Sequence, residues 1–216
     1  MRNVLTCVLM TSIGLGVVSR AQPVEQAGRE FSCASFPADL SEASLVERYG
    51  EANVRRASIF GADDGPQEGA VVFDGGPMKV EVVWWDPEPR TRLAWARTRA
   101  PNSPWRTLNG IAVGMDLLSI ERRNGWPFRL AGLGGPEGRG IVRSWGRGRL
   151  QGFDSEGCRV SISLQPSGDR RVDPALYGDV GRGREFSSGH PAMQAINPQV
   201  VELIVSHDPV RRRVVP

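Results

Sequence analysis

The sequence predicts an α+β fold in which two helix-plus-four-strand repeats form one antiparallel sheet with helices on one face. Helical spacing closed by glycine occurs twice, at 40–50 and 115–125, and each stretch is followed by about four strand-like runs. The clearest run, 158–164, alternates Cys158, Val160, Ile162 and Leu164 with Arg159, Ser161 and Ser163. One side of that strand is apolar and the other polar, as in an antiparallel sheet covered on a single side.

Residues 1–21 read as a secretory signal. Arg2 starts it, 4–18 is mostly apolar, and Ser19 and Ala21 put small residues before a cut at Gln22. Thr6, Cys7, Thr11 and Ser12 interrupt an apolar run already shorter than the roughly 20 residues of a bilayer crossing. An uncleaved anchor is the alternative. The N-terminal segment, 22–37, opens with a polar stretch expected to fray.

The first repeat spans 38–100. Asp39 is placed to cap a helix with Glu42 three residues on, Leu45, Val46 and Tyr49 recur at helical spacing, and Gly50 ends it. Strands are expected at 54–60, 70–74, 78–85 and 91–99, separated by turn signals at 61–66, at Gly75-Gly76-Pro77 and at 86–89. The joint is 100–104. In the second repeat, 101–165, Leu117, Leu118 and Ile120 face inward and Asn124-Gly125 closes the helix, with Pro127 just beyond. Strands follow at 128–133, 140–145, 150–153 and 158–164. The remainder, 166–216, is a loop-rich segment with a helical turn at 190–196, a final apolar strand at 199–206 and an arginine tail at 211–213.

Charge and cysteine content bound the function. The chain has 27 basic and 24 acidic residues, and loss of Arg2 and Arg20 with the leader leaves 25 against 24. That balance supplies no bulk attraction to nucleic acid. Once Cys7 leaves, Cys33 and Cys158 remain in a compartment where disulfides persist, so a bridge between them is predicted; two separate buried thiols are the alternative.

Residues with possible chemistry are few. The glycine-rich stretch 132–140 lacks the Gly-Lys-Ser/Thr ending of a phosphate loop and does not lead from a strand into a helix. A hairpin connection explains it better. Arg139, Arg143, Arg147 and Arg149 are candidates for an anionic partner, or for a solvated edge. Only His190 and His207 are available as histidines, without ligand spacing around them, so no metal or cofactor is expected. Ser187, Ser188 and His190 lack the marks of an activated nucleophile, and Asp63 and Asp64 lack a full calcium-loop pattern. Trp84 and Trp85 are adjacent on a strand and so point to opposite sides; with Val80, Val82 and Trp84 inward, Trp85 joins Glu81 on the open face. Trp85 then marks either a contact surface or a site covered by a loop or the C-terminal segment.

At Trp105-Arg106-Thr107, Gly110-Ile111, Gly114 to Leu117, Asn124 to Phe128, Gly132 and Ser144-Trp145, the chain resembles a group of uncharacterised secreted bacterial proteins. They share a W-x-T…G-I-x-x-G-x-x-L…N-G-x-P-F…G…S-W pattern, and the resemblance implies no activity. The twofold order of helix and four strands also resembles the β-lactamase inhibitor protein fold. Half of it resembles the small lipoprotein of the outer-membrane barrel-assembly machinery. None of the inhibitor's interface residues is matched by motif.

The expected protein is therefore non-enzymatic, secreted or periplasmic, and binds a protein or envelope component through an exposed sheet face. The contact residues expected are Trp85, Glu81, Arg159, Ser161, Ser163, Arg143 and Arg147. The alternatives are an envelope hydrolase whose carboxylates meet on folding, and a structural envelope protein.

Overall fold

The computed structural model describes residues 29–61, 65–135, 138–151, 154–168, 171–181 and 183–209. The expected leader, Asp63 and Asp64, and the arginine tail lie outside the described residues. In chain order the elements are α1 (Glu42–Tyr49), β1 (Val54–Phe60), β2 (Pro66–Val72), β3 (Val80–Asp86), β4 (Thr91–Thr98), α2 (Leu117–Asn124), β5 (Arg129–Ala131), β6 (Gly140–Ser144), β7 (Cys158–Gln165), α3 (Ala175–Asp179), β8 (Glu185–Ser187), α4 (Pro191–Ile196) and β9 (Gln199–His207).

Both expected helices form. The Ser41 hydroxyl accepts the Ser44 N–H at 3.1 Å, so Ser41 caps α1 and Asp39 does not. The start shifts because Leu40 belongs to the sheet's packing: it is 2% exposed and its carbonyl accepts the Trp84 indole N–H at 2.9 Å. Glu42 instead meets Arg56 of β1 at 2.8 Å, and that guanidinium holds its carboxyl below the usual range. Gly50 ends α1 with φ 86°, and Gly125 ends α2 in the left-handed region with φ 74°.

The nine strands form one open sheet in the order β1-β2-β3-β4-β9-β7-β6-β5-β8, every neighbouring pair antiparallel. The final strand is not an appendage. β9 lies mid-sheet between β4 and β7, which pair with its main chain on both edges, and its Val200, Leu203 and Val205 are buried in the core. Residues 150–153, expected as a strand, form none among those described; the Leu150 N–H goes to the Asn124 side chain instead. The stretch 165–188, expected to be loop, contains α3 and β8.

One large cluster holds Val80, Val82 and Trp84 of β3, the apolar set of β7, and the buried residues of α1, α2 and α4. A small second cluster, Ile59, Val71, Val83 and Ala94, lies on the other side of the sheet. The alternation of β3 is thus as read, with Glu81, Val83 and Trp85 turned from the helices. A bulge between β3 and β4 at Val83/Trp84 puts Ala94 and Trp95 on that same side.

The segment before α1 is a structural plug. Phe31 and Phe36 are 0% and 1% exposed; their ring centroids lie 4.9 Å apart, and 6.1 and 5.7 Å respectively from that of Trp105. Cys33 of this plug is bonded to Cys158 of β7, the predicted disulfide. No helix among the described residues is long and apolar enough to cross a membrane.

Candidate functional site

β6 and β7 pair only at Gly140↔Leu164 and Ile141↔Ser163. Past those positions each strand keeps its outer neighbour, β6 holding β5 through Val142 and Ser144, and β7 holding β9 down to Cys158. The two strands diverge and leave a groove of about 680 Å³ between them.

Local chemistry on each side enforces the divergence. Asn124, fully buried at the end of α2, donates to the carbonyls of Trp126 (2.7 Å) and Trp145 (3.0 Å) and accepts the Leu150 N–H (3.0 Å). It thereby draws the turn after β6 toward α2 rather than across to β7. Gly148 is required there, since a Cβ would lie 2.0 Å from the Asn124 amide. Trp145 packs on Phe128 at 5.4 Å. On the other side, the Asp154 carboxylate accepts the Val160 N–H at 2.9 Å, standing where a strand carbonyl would stand.

Asn124→Ala is expected to cost about 2–3 kcal/mol, because it strips partners from buried main-chain groups. Denaturant unfolding measures this, and the Trp145 environment should change in near-ultraviolet circular dichroism. An unchanged midpoint would contradict the role assigned to Asn124.

Three of the expected contact residues, Arg143, Arg159 and Ser161, line the groove, with Gln151 and Asp154. Arg143 and Arg159 are exposed and neither has an ion-pair partner among the described residues. Asp154 is the one acid among the described residues of the lining, against two arginines, so the groove is electropositive. Arg147 is exposed on the turn beyond β6 but does not line the groove.

The remaining expected residues lie elsewhere. Trp85 is 43% exposed, and its indole N–H donates to the His207 carbonyl at 3.2 Å, so the end of β9 ties it down. Ser163 is buried and Glu81 half-buried on that side, in a cluster with the buried Arg97 and Glu202: Arg97 meets Glu81 at 2.7 Å and Glu202 at 3.8 Å, and the Ser163 hydroxyl donates to Glu202 at 3.2 Å. Arg97 also donates to the Phe60 carbonyl at 2.8 Å, which brings the end of β1 across this side of the sheet. Strand alternation showed which side these residues take. It carried no sign that the hairpin would lean over them.

The remaining candidates have structural partners. Ser188 is fully buried, donates to the Glu121 carboxylate and accepts the Phe128 N–H at 2.9 Å. His190 Nδ1 accepts the Ala192 N–H at 3.2 Å and caps α4, while His207 Nε2 lies 2.8 Å from the Phe36 carbonyl. In the glycine-rich stretch, a Cβ at Gly132 would lie 1.9 Å from the Gly181 carbonyl oxygen and one at Gly138 1.5 Å from that of Leu133. Close backbone approach is why those two are glycine.

Sequence reasoning missed Asn124 as the organiser of the turn and Asp154 as a strand substitute. An Asn before a helix-ending glycine reads first as part of the helix ending, and a lone Asp in a polar loop has no periodicity to mark it. No protein-family model, curated protein sequence or solved structure matches this chain.

Proposed function

We propose that this chain is a secreted or periplasmic binding protein that holds a protein or envelope component at the β6–β7 groove and catalyses no reaction. The observation that carries this is the pair of diverging strands with Arg143 and Arg159 at their margins, neither with an ion-pair partner among the described residues. Exposed arginines beside a cleft lined by polar side chains and main chain suit recognition of a charged surface. The Cys33–Cys158 bridge and the expected leader support a place outside the cytosol. The hydrolase reading has weaker support: Glu81 and Glu202 do converge, but Arg97 stands between them as their common partner.

We also infer an internal repeat. α1 and α2 have equal length, Leu45 and Ile120 fall at matching positions in them, and within 38–100 and 101–165 each helix precedes strands that are sequential neighbours in the sheet, β1-β2-β3-β4 after α1 and β5-β6-β7 after α2.

Proximity labelling in the native envelope, with the chain carrying Arg143→Glu and Arg159→Glu as comparison, tests the binding reading. Partners labelled by the wild type should be lost from the variant while thermal unfolding stays unchanged. Recovery of the same partners by both forms would discard the groove as the binding site.

A further inference from the structure

Resting on that reading, we infer that the groove takes an extended, carboxylate-bearing segment of another protein, which enters as an added strand between β6 and β7. The ladder between these strands stops at Ile141↔Ser163, yet both continue as strands, β6 to Ser144 and β7 back to Cys158. Cys158 is already paired with Ser155 through both of its main-chain groups, so the edges that face each other across the gap are short, 142–144 of β6 and 160–162 of β7; such an edge offers main-chain donors and acceptors to an incoming strand. A strand seated there would have a neighbour on both sides, where an ordinary sheet edge offers one.

One of those main-chain groups already has a substitute. The Val160 N–H is held by Asp154, and a carbonyl of the inserted strand would take its place. Release of Asp154 then leaves a carboxylate at the mouth, beside Arg159 in the same lining.

Charge decides the kind of segment. Arg143 and Arg159 have no ion-pair partner among the described residues, Arg147 is exposed on the turn nearby, and the acids close to them are Asp154 in the groove and Asp208, which shares the adjoining cavity with Arg159. Acidic side chains on the incoming strand complement this margin, whereas the chain's own arginine tail at 211–213 would be repelled by it. Ile141, 37% exposed at the closed end, offers an apolar contact for one alternate side chain.

The test is selection of a displayed library of random peptides of about ten residues, a length sufficient for a strand, on the full disulfide-bonded chain. Enriched peptides should be acidic with alternating apolar positions. Their affinity by fluorescence anisotropy should fall roughly tenfold or more on Arg143→Glu with Arg159→Glu, and equally when alternate backbone nitrogens of the peptide are methylated. Affinity that survives methylation would overturn the strand mode, since it would leave charge alone as the attraction. Enrichment of basic or neutral peptides, or no enrichment, would also overturn it. Arginine-dependent binding of phosphatidylglycerol vesicles in place of peptides would overturn it in favour of a lipid headgroup. Partners labelled through the groove without any peptide selected would leave the binding reading standing and remove the strand.

Discussion

Replacing Cys33 and Cys158 with serine should lower the unfolding free energy by several kcal/mol, the largest loss expected of any side-chain change in this chain. The two cysteines are 125 residues apart, and the chain-entropy model assigns about 5 kcal/mol to closing a loop of that size. That figure is a ceiling; removal of native bridges costs about 2–5 kcal/mol. The bridge also anchors the Phe31–Phe36–Trp105 cluster to β7. Without it the plug is held by its hydrogen bonds, Phe31 N–H to the Arg106 carbonyl among them, and by packing alone. Calorimetry of the wild type, reduced wild type and double-serine variant should show the last two unfolding together and well below the first. Amide exchange in the plug should rise before exchange in β9. Equal midpoints for all three forms would show that the bridge contributes nothing.

Arg97→Ala should be nearly as costly, about 3–5 kcal/mol, the loss typical when a buried ion pair is left with one charge unpartnered. Arg97 has a side chain 6% exposed and is the common partner of Glu81 and Glu202. Arg99 at 3.2 Å from Glu81 and Arg139 at 3.5 Å from Glu202 are more exposed and compensate only partly. Arg97 also lies over the Trp95 ring at 4.8 Å, so alanine loses packing as well as charge. A triple variant with Arg97→Met, Glu81→Gln and Glu202→Gln removes the charges together and should recover much of the loss. A triple variant no more stable than Arg97→Ala would place the cost in packing instead of electrostatics. Because the cluster holds the end of β1 through the Phe60 carbonyl, the single variant should also loosen the β1–β2 hairpin.

The face of each strand was legible where one chain segment carried the whole signal. In β7 the apolar residues Cys158, Val160, Ile162 and Leu164 all enter the core as their alternation predicts, and β3 places Trp84 in the core and Trp85 outside it. The glycine endings of α1 and α2 were legible for the same reason, since a positive φ is a property of one residue. The candidate site was legible only in part. From the sequence, Arg159 and Ser161 read as a wet strand face and Arg143 as a candidate for an anionic partner, and they meet in a gap whose existence depends on Asn124 and Asp154. Neither of those two has a local pattern that announces its partner.

By itself, the sequence determined the α+β class, the two helices with their glycine endings, the inward and outward faces of its clearest strands and the pair of cysteines left to bridge. Tertiary structure alone decided that β9 would lie in the middle of the sheet, that Glu81 and Glu202 would share Arg97, and that β6 and β7 would part. The reason is physical. Periodicity and capping act within a few residues of one another, whereas strand order, charge burial and the opening of a groove are settled by contacts such as Thr98↔Leu203 and Asn124 to Trp145, between segments that only folding brings together.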